Sequence, residues 1–117
     1  MIDFSKRQCL VVDDFQGMRT LMRDMLRELG VQKVDIAATG TEATGLLANH
    51  RYDVVLCDYN LGTGRNGQQL LEEAKLRNLV GPACVWIMVT AEKTSEAIIG
   101  AVEYQPDAYL IKPVTIA

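Results

Sequence analysis

The sequence predicts an α/β fold: a doubly wound, five-stranded parallel sheet in a single domain. Three observations predict it. Short apolar runs alternate with segments of helical period along all 117 residues. Three of these runs, at 9–12, 54–57 and 85–89, carry no polar alternation, which marks strands covered on both faces. The runs also end in chemistry-bearing residues: Asp13 and Asp14, Asp58, Thr90 and Lys112. In an open parallel sheet the carboxyl ends of the strands form the functional rim.

The elements follow in order. A first strand at 8–12 ends in two acids. A helix at 16–29 carries Met18, Leu21, Met22, Met25, Leu26 and Leu29 at helical spacing, and Gly30 sits where helix stops favour glycine. A second strand spans 34–38. Thr39 with Glu42 reads as a capping box opening a short helix to about Asn49. The third strand is 53–57. A loose loop at 62–67 precedes a helix at 68–79, which Gly81 and Pro82 should stop. A strand at 83–89, a helix at 94–103 and a strand at 108–111 complete the pattern. Chain chirality makes the crossovers right-handed. Six residues, Lys112 to Ala117, then remain, whereas a closing helix would need about ten or more. The expectation is a single domain over 1–117, truncated after the fifth strand, with its last helix missing. The apolar stripe of the first helix would then lie open and favour a homodimer or a swapped assembly.

Composition narrows the function classes. Apolar residues make up 49% and charged residues 23%, an ordinary globular balance. The net charge of −3 gives no electrostatic reason to expect nucleic acid or an anionic membrane as a direct partner. No apolar run approaches the ~20 residues that span a bilayer, and the first residues lack a signal peptide's pattern, so a cytoplasmic protein is expected. Cys9, Cys57 and Cys84 are an odd set inside apolar runs, which reads as reduced core thiols.

The rim residues then carry the chemistry. Asp13, Asp14 and Asp58 placed close together repel, raising at least one pKa, unless a cation sits among them. Carboxylates without His or Cys suit a hard cation such as Mg2+. The competing reading is that Asp13 and Asp14 cap the first helix, where acids are favoured. That reading weakens once Asp58 arrives from a separate strand, where an uncompensated charge is costly. A carboxylate can attack phosphorus to form an aspartyl phosphate. Lys112 offers a compact ammonium for phosphate oxygens, Thr90 a hydroxyl, and Ala91 a backbone N–H with room for close approach. Each has a plain alternative as a surface lysine or strand-end residue. Arg19, Arg23 and Arg27 line one side of the first helix and read as a solvated face. Trp86 reads as a core anchor.

These residues resemble the receiver domain of two-component response regulators, a bacterial signalling family. The likeness runs from about Gln8 to Pro113 on Val-Val-Asp-Asp at 11–14, Cys-Asp-Tyr-Asn-Leu at 57–61, Val-Thr-Ala-Glu at 89–92 and Tyr-Leu-Ile-Lys-Pro at 109–113. The resemblance implies a flavodoxin-like strand order 2-1-3-4-5. It implies a phosphorylation switch, not an enzyme acting on other substrates: the domain catalyses only its own phosphorylation and dephosphorylation. Asp58 would be the phosphoacceptor. Asp14 would ligate Mg2+ directly, Asp13 chiefly through water, and the backbone carbonyl of Asn60 would be a further ligand beside Asp58. Lys112 would pair with the phosphate, Thr90 would swing in to it with Ala91 alongside, and Tyr109 would turn from exposed to buried as Thr90 moves. Tyr109 also reads as an amphipathic edge-strand tyrosine. Asn60 and Glu92 resemble the pair of the short-lived chemotaxis regulator.

Three departures from the family pattern stand out. Gly62 replaces the usual proline and Gly67 falls about one residue late, which predicts a longer, looser loop. Tyr104, Gln105 and Pro106 replace a small turn, and the last helix is missing. The only histidine, His50, ends the second helix far in sequence from the rim. The phosphodonor would therefore come from a sensor histidine kinase or phosphotransfer protein. A phosphatase-like enzyme would want a second acid where Asn60 stands. An inactive interaction module would not need the complete set of phosphorylation residues found here.

Overall fold

The computed structural model describes residues 6–62, 64–91 and 105–112. Within them lie five strands, β1 (Gln8–Val12), β2 (Lys33–Ala37), β3 (Val54–Asp58), β4 (Val85–Thr90) and β5 (Ala108–Ile111). Three helices lie between them, α1 (Gln16–Glu28), α2 (Gly40–Asn49) and α3 (Gly67–Leu76). The helix expected at 94–103 falls outside the described residues, as do Glu92 and Pro113. The strands form one parallel sheet in the order β2-β1-β3-β4-β5, so the flavodoxin-like doubly wound arrangement is the fold.

Side-chain alternation along the strands divides the core in two. Leu10 and Val12, Val55 and Cys57, and Trp86 and Met88 face α2 and α3, where Ala43, Leu47, Leu70, Leu71 and Ala74 close over them. Val11, Leu56 and Val89 face the other way and meet Met22, with Met18 and Leu26 packed around it. β1 and most of β3 are covered on both faces, which fits their lack of polar alternation, while β4 is covered on the α2–α3 side and leaves Val85 exposed and Ile87 half-buried on the other. Trp86 is 1% exposed, as a core anchor should be.

The α1 stripe is open in part, as expected. Its centre, Met18, Met22 and Leu26, is taken up by the sheet, while Leu21 and Leu29 at its margins are exposed. Only Met22 is buried outright; Met18, Met25 and Leu26 are half-buried, and Val85 beside them on the sheet is exposed, so apolar area remains on this face.

Helix ends explain the shifted boundaries. Gly30 adopts φ 101°, and the bonds from Gly30 N to Arg27 O and Val31 N to Leu26 O close α1, as the sequence predicts. The α3 stop differs. Asn78 takes φ 54°, and Leu79 N reaches Ala74 O at 2.8 Å, so the helix ends before Gly81 and Pro82. Asparagine is among the few residues that enter the left-handed region cheaply, so it terminates the helix first. At α2, Thr39 Oγ1 accepts from Glu42 N, but the Glu42 carboxylate takes Ala38 N instead of completing the box. The full reciprocal capping box lies at α3, between Asn66 and Gln69.

That cap starts α3 at Gly67, directly beneath the end of β3. A Cβ on Gly67 would stand 2.4 Å from the Asp58 carbonyl oxygen and 2.8 Å from the Met88 sulfur. Gly67 N also donates to Tyr59 O at 2.7 Å. Gly67→Ala should therefore lower stability by about 1–3 kcal/mol through overpacking. Gly45→Ala, in α2 with nothing within 4 Å of the added carbon, should raise it by ~0.5–1 kcal/mol. Urea unfolding of the two variants checks both signs.

Candidate functional site at the carboxyl rim of the sheet

The strand order reverses at β1, which has β2 on one side and β3 on the other. The first crossover runs one way and the next the other, so a crevice opens beyond the ends of β1 and β3. The register puts Val12 beside Cys57 and Asp58 beside Val89. The residues that follow Val12 and those that end β3 and β4 thus emerge at one level.

Asp13 is fully buried. Its Oδ1 accepts from Phe15 N at 2.9 Å, and its Oδ2 accepts from Lys112 Nζ at 3.1 Å. Lys112 Nζ also donates to Asp58 Oδ2 at 3.1 Å, so one ammonium bridges carboxylates from two strand ends. Asp58 Oδ1 accepts from Asn60 N at 3.2 Å. Asp14 is exposed, yet carboxylate oxygens of Asp13, Asp14 and Asp58 lie within 4.8 Å of one another. Lys112 itself is anchored by its backbone N–H to Thr90 O at 2.8 Å, across the β4–β5 edge.

A cavity of about 510 Å3 opens over this group. Asp14, Asp58, Asn60, Thr90, Ala91 and Lys112 line it, joined by Tyr59, Gly62, Gly64 and Asn66. Two expected residues, Asp13 and Tyr109, do not line it. Asp13 stands behind the wall with both oxygens engaged. Tyr109 lies on β5 opposite Met88, half-buried against the core.

Electrostatics follow the geometry. Burial pushes the Asp58 carboxyl above its ordinary value; the Lys112 hydrogen bond pulls it back and the Asp13 charge adds to the rise. For Lys112, burial acts to lower the ammonium, but the bonds and charges of Asp58 and Asp13 outweigh it and hold it raised. Burial likewise lifts the Cys9 and Cys84 thiols, each to about 11, so both are inert neutral core groups.

The cap reading of the two acids does not hold in its simple form. The N-cap of α1 is Phe15, without a side-chain cap, and Asp13 serves only Phe15 N, one residue before the helix. Several contributors carry no sequence signal of their own. Arg19, read as solvated, donates from Nη1 to the Asp13 carbonyl at 2.8 Å. Gly62, at φ 77°, brings its backbone close enough that a Cβ would stand 3.2 Å from Asp14 Oδ2. Asn66 lines the cavity while capping α3. Its offset of three from Gln69, a capping-box spacing, was the one readable clue.

The fold and rim together define a class. The chain belongs to the response regulator receiver domain family, whose profile matches residues 9–117. Among curated relatives it is 34% identical over 108 residues to chemotaxis protein CheY-3 of Vibrio cholerae, spanning 92% of this chain and 82% of that one. It is 34% identical over 106 residues to chemotaxis protein CheY of Pseudomonas aeruginosa, spanning 91% and 84%. A CheY-like receiver domain from Methanospirillum hungatei superposes with a TM-score of 0.78 at 32% identity, over 93% of this chain and 83% of that one. Response regulator TrrA of Thermotoga maritima, solved with Mg2+-BeF, superposes with a TM-score of 0.79 at 25% identity, over 93% and 89%. Proteins of this family are signalling switches.

The raised Asp58 has a consequence for stability. A fold that favours the protonated acid gains nothing from its ionisation. Stability is full below the ordinary carboxylate range and declines as pH rises through the raised value of Asp58. At neutral pH the cost is present. Asp58→Asn, a neutral isostere, should then raise the melting temperature by a few degrees at pH 7 without divalent cations. The gain should shrink at pH 4, where calorimetry can follow it.

Proposed function

We propose that the chain is a magnesium-dependent phosphorylation switch, one receiver domain that takes a phosphoryl group onto Asp58. The single observation that carries this is the Lys112 ammonium held 3.1 Å from carboxylates of both Asp13 and Asp58, at the edge of an open cavity. The donor set fits Mg2+. Three oxygen-only carboxylates converge, no His or Cys joins them, and a hard cation that keeps several waters suits so sparse a set. Asp14 and Asp58 would hold it, with the Asn60 carbonyl, and Asp13 would act behind them. When bound, the ion would neutralise charge on the transferring phosphoryl oxygens.

The chain's own residues do the rest. A carboxylate oxygen of Asp58 attacks phosphorus in a phosphohistidine of a partner kinase or phosphotransfer protein. The P–O bond forms as the P–N bond breaks, and its electron pair leaves on the imidazole nitrogen. Lys112 is already at Asp58 and meets the incoming phosphate oxygens as a point charge. Thr90, 3% exposed and lining the cavity, supplies a hydroxyl, and Ala91 leaves room for a backbone N–H. The added charge of roughly −2 draws Thr90 inward. Tyr109, which neighbours Met88 in register on β5, follows it and reports the change to the surface. A swing from mostly off to mostly on requires a differential of ~5 kcal/mol.

The partner is a histidine kinase or phosphotransfer protein because the one histidine, His50, lies at the C-cap of α2 and lines none of the cavity. A cytoplasmic site of action accords with that chemistry. No described helix is long and apolar enough to cross a membrane.

Incubation with acetyl phosphate and Mg2+ should add one phosphoryl group, visible by intact mass. The adduct should disappear in Asp58→Asn and with EDTA. Lys112→Met should keep Mg2+ binding but slow phosphorylation by about 10–100-fold. An unmodified wild-type chain would overturn the switch, and turnover of a separate phosphoester would point to a phosphatase-like enzyme.

A further inference from the structure

Tyr59, Asn60, Gly62, Gly64 and Asn66 line the cavity together with Lys112, and their placement is less self-evident than that of the strand ends. Gly62 and Gly64 both have positive φ, 77° and 88°, so the backbone is intrinsically permissive at these two positions. Two ties hold the ends. Tyr59 N donates to Val89 O at 3.0 Å, and Gly67 N to Tyr59 O at 2.7 Å. Asn60 Oδ1 accepts from Gly62 N at 3.0 Å within the loop. Between Gly64 and Asn66, which both line the cavity, stands Arg65, whose side chain turns away from it.

The Arg65 guanidinium forms an ion pair with Glu73 Oε1, two turns along α3. Glu73 is held in turn. Its Oε2 accepts from Arg77 Nη1 at 2.9 Å and from Thr44 Oγ1 of α2 at 3.4 Å. Arg65 also lies over the start of α2, where a Cβ on Gly40 would be 3.3 Å from its Nε. The permissive loop is therefore fastened, through one side chain, to a rigid corner built from two helices. The Arg65 and Glu73 side chains are 30% and 26% exposed, so the pair is partly shielded from solvent. The Arg65 bond, first among several causes, holds the Glu73 carboxyl below its usual range.

We infer that Arg65 is a positioning residue for the rim site: its ion pair with Glu73 sets the cavity-lining Gly64 and Asn66 on either side of it at the distance a divalent cation and phosphoryl group require. It touches neither group and acts through the loop. The inference rests on the proposed switch for the identity of the site's ligands, but the loop's fastening can be read without them. Releasing the pair lets the wall sample wider positions, so binding must pay to reorder it.

The test compares Arg65→Met, Glu73→Gln, the double variant, Arg65→Lys and Arg77→Met in the full chain. Hydrogen exchange of the 59–67 segment, without metal, should accelerate ~3- to 10-fold in Arg65→Met and Glu73→Gln. Mg2+ affinity by calorimetry should fall by a similar factor in both. The double variant should be no worse than either single change, since both break one contact. Arg65→Lys should restore part of the loss. Arg77→Met, which loosens Glu73 but keeps the Arg65 pair, should change both readouts less than Arg65→Met. Unchanged exchange and unchanged Mg2+ affinity in Arg65→Met, or losses that add in the double variant, would overturn the inference. If the wild type binds Mg2+ but acquires no phosphoryl group, the switch fails while these two readouts still decide the role of Arg65. If the wild type binds no Mg2+, unaltered or additive exchange rates alone overturn it.

Discussion

One ammonium group shared between two carboxylates organises this molecule. Asp13 and Asp58 come from strands that are neighbours in the sheet, and both point into the same small volume. Bringing two such charges together out of water is unfavourable twice, through desolvation and through mutual repulsion. Lys112 offsets part of both, and it reaches them because β5 lies at the far side of β4 and its backbone is bonded to Thr90. The strand order, the register and the burial of β1 and β3 are what make a single lysine sufficient. Paired with two acids, it still leaves the exposed carboxylate of Asp14 beside them. The site is thus compensated but retains negative charge facing the cavity, a condition that favours a cation.

The three acids are not equivalent, and depth sorts them. Asp13 is a fixed part of the wall, with one oxygen on Phe15 N and the other on Lys112. Asp58 is held at both oxygens yet faces the cavity. Asp14 is open. A gradient from buried to exposed across three adjacent carboxylates gives residues of one chemical type three different environments. Proximity to Lys112 alone would not distinguish them.

Much of this was legible in the sequence because apolar strands with no polar alternation must be covered twice, and their ends are then the places where polar residues can emerge. That is why Asp14, Asp58, Thr90 and Lys112 could be placed on one rim before any coordinates. The less legible parts depend on contacts between elements. No spacing rule places Arg19 on the Asp13 carbonyl or Arg65 on Glu73, since each reaches across a turn or loop whose path is set in three dimensions. The end of α3 was misplaced because glycine and proline are the usual stops, while here Asn78 takes the left-handed conformation first. The α1 face is open at Leu21 and Leu29 and closed at Met22, a division set by which sheet residues meet the helix and not by its spacing alone.

The most direct test of the account is a crystal structure grown with Mg2+ and beryllium fluoride, an analogue of the phosphoryl group. The account predicts one Mg2+ among Asp14, Asp58 and the Asn60 carbonyl, the fluoride on Asp58, and Lys112 Nζ within hydrogen-bond reach of it. A beryllium fluoride group elsewhere on the chain, or an unliganded rim in which Lys112 contacts neither Asp13 nor Asp58, would contradict it.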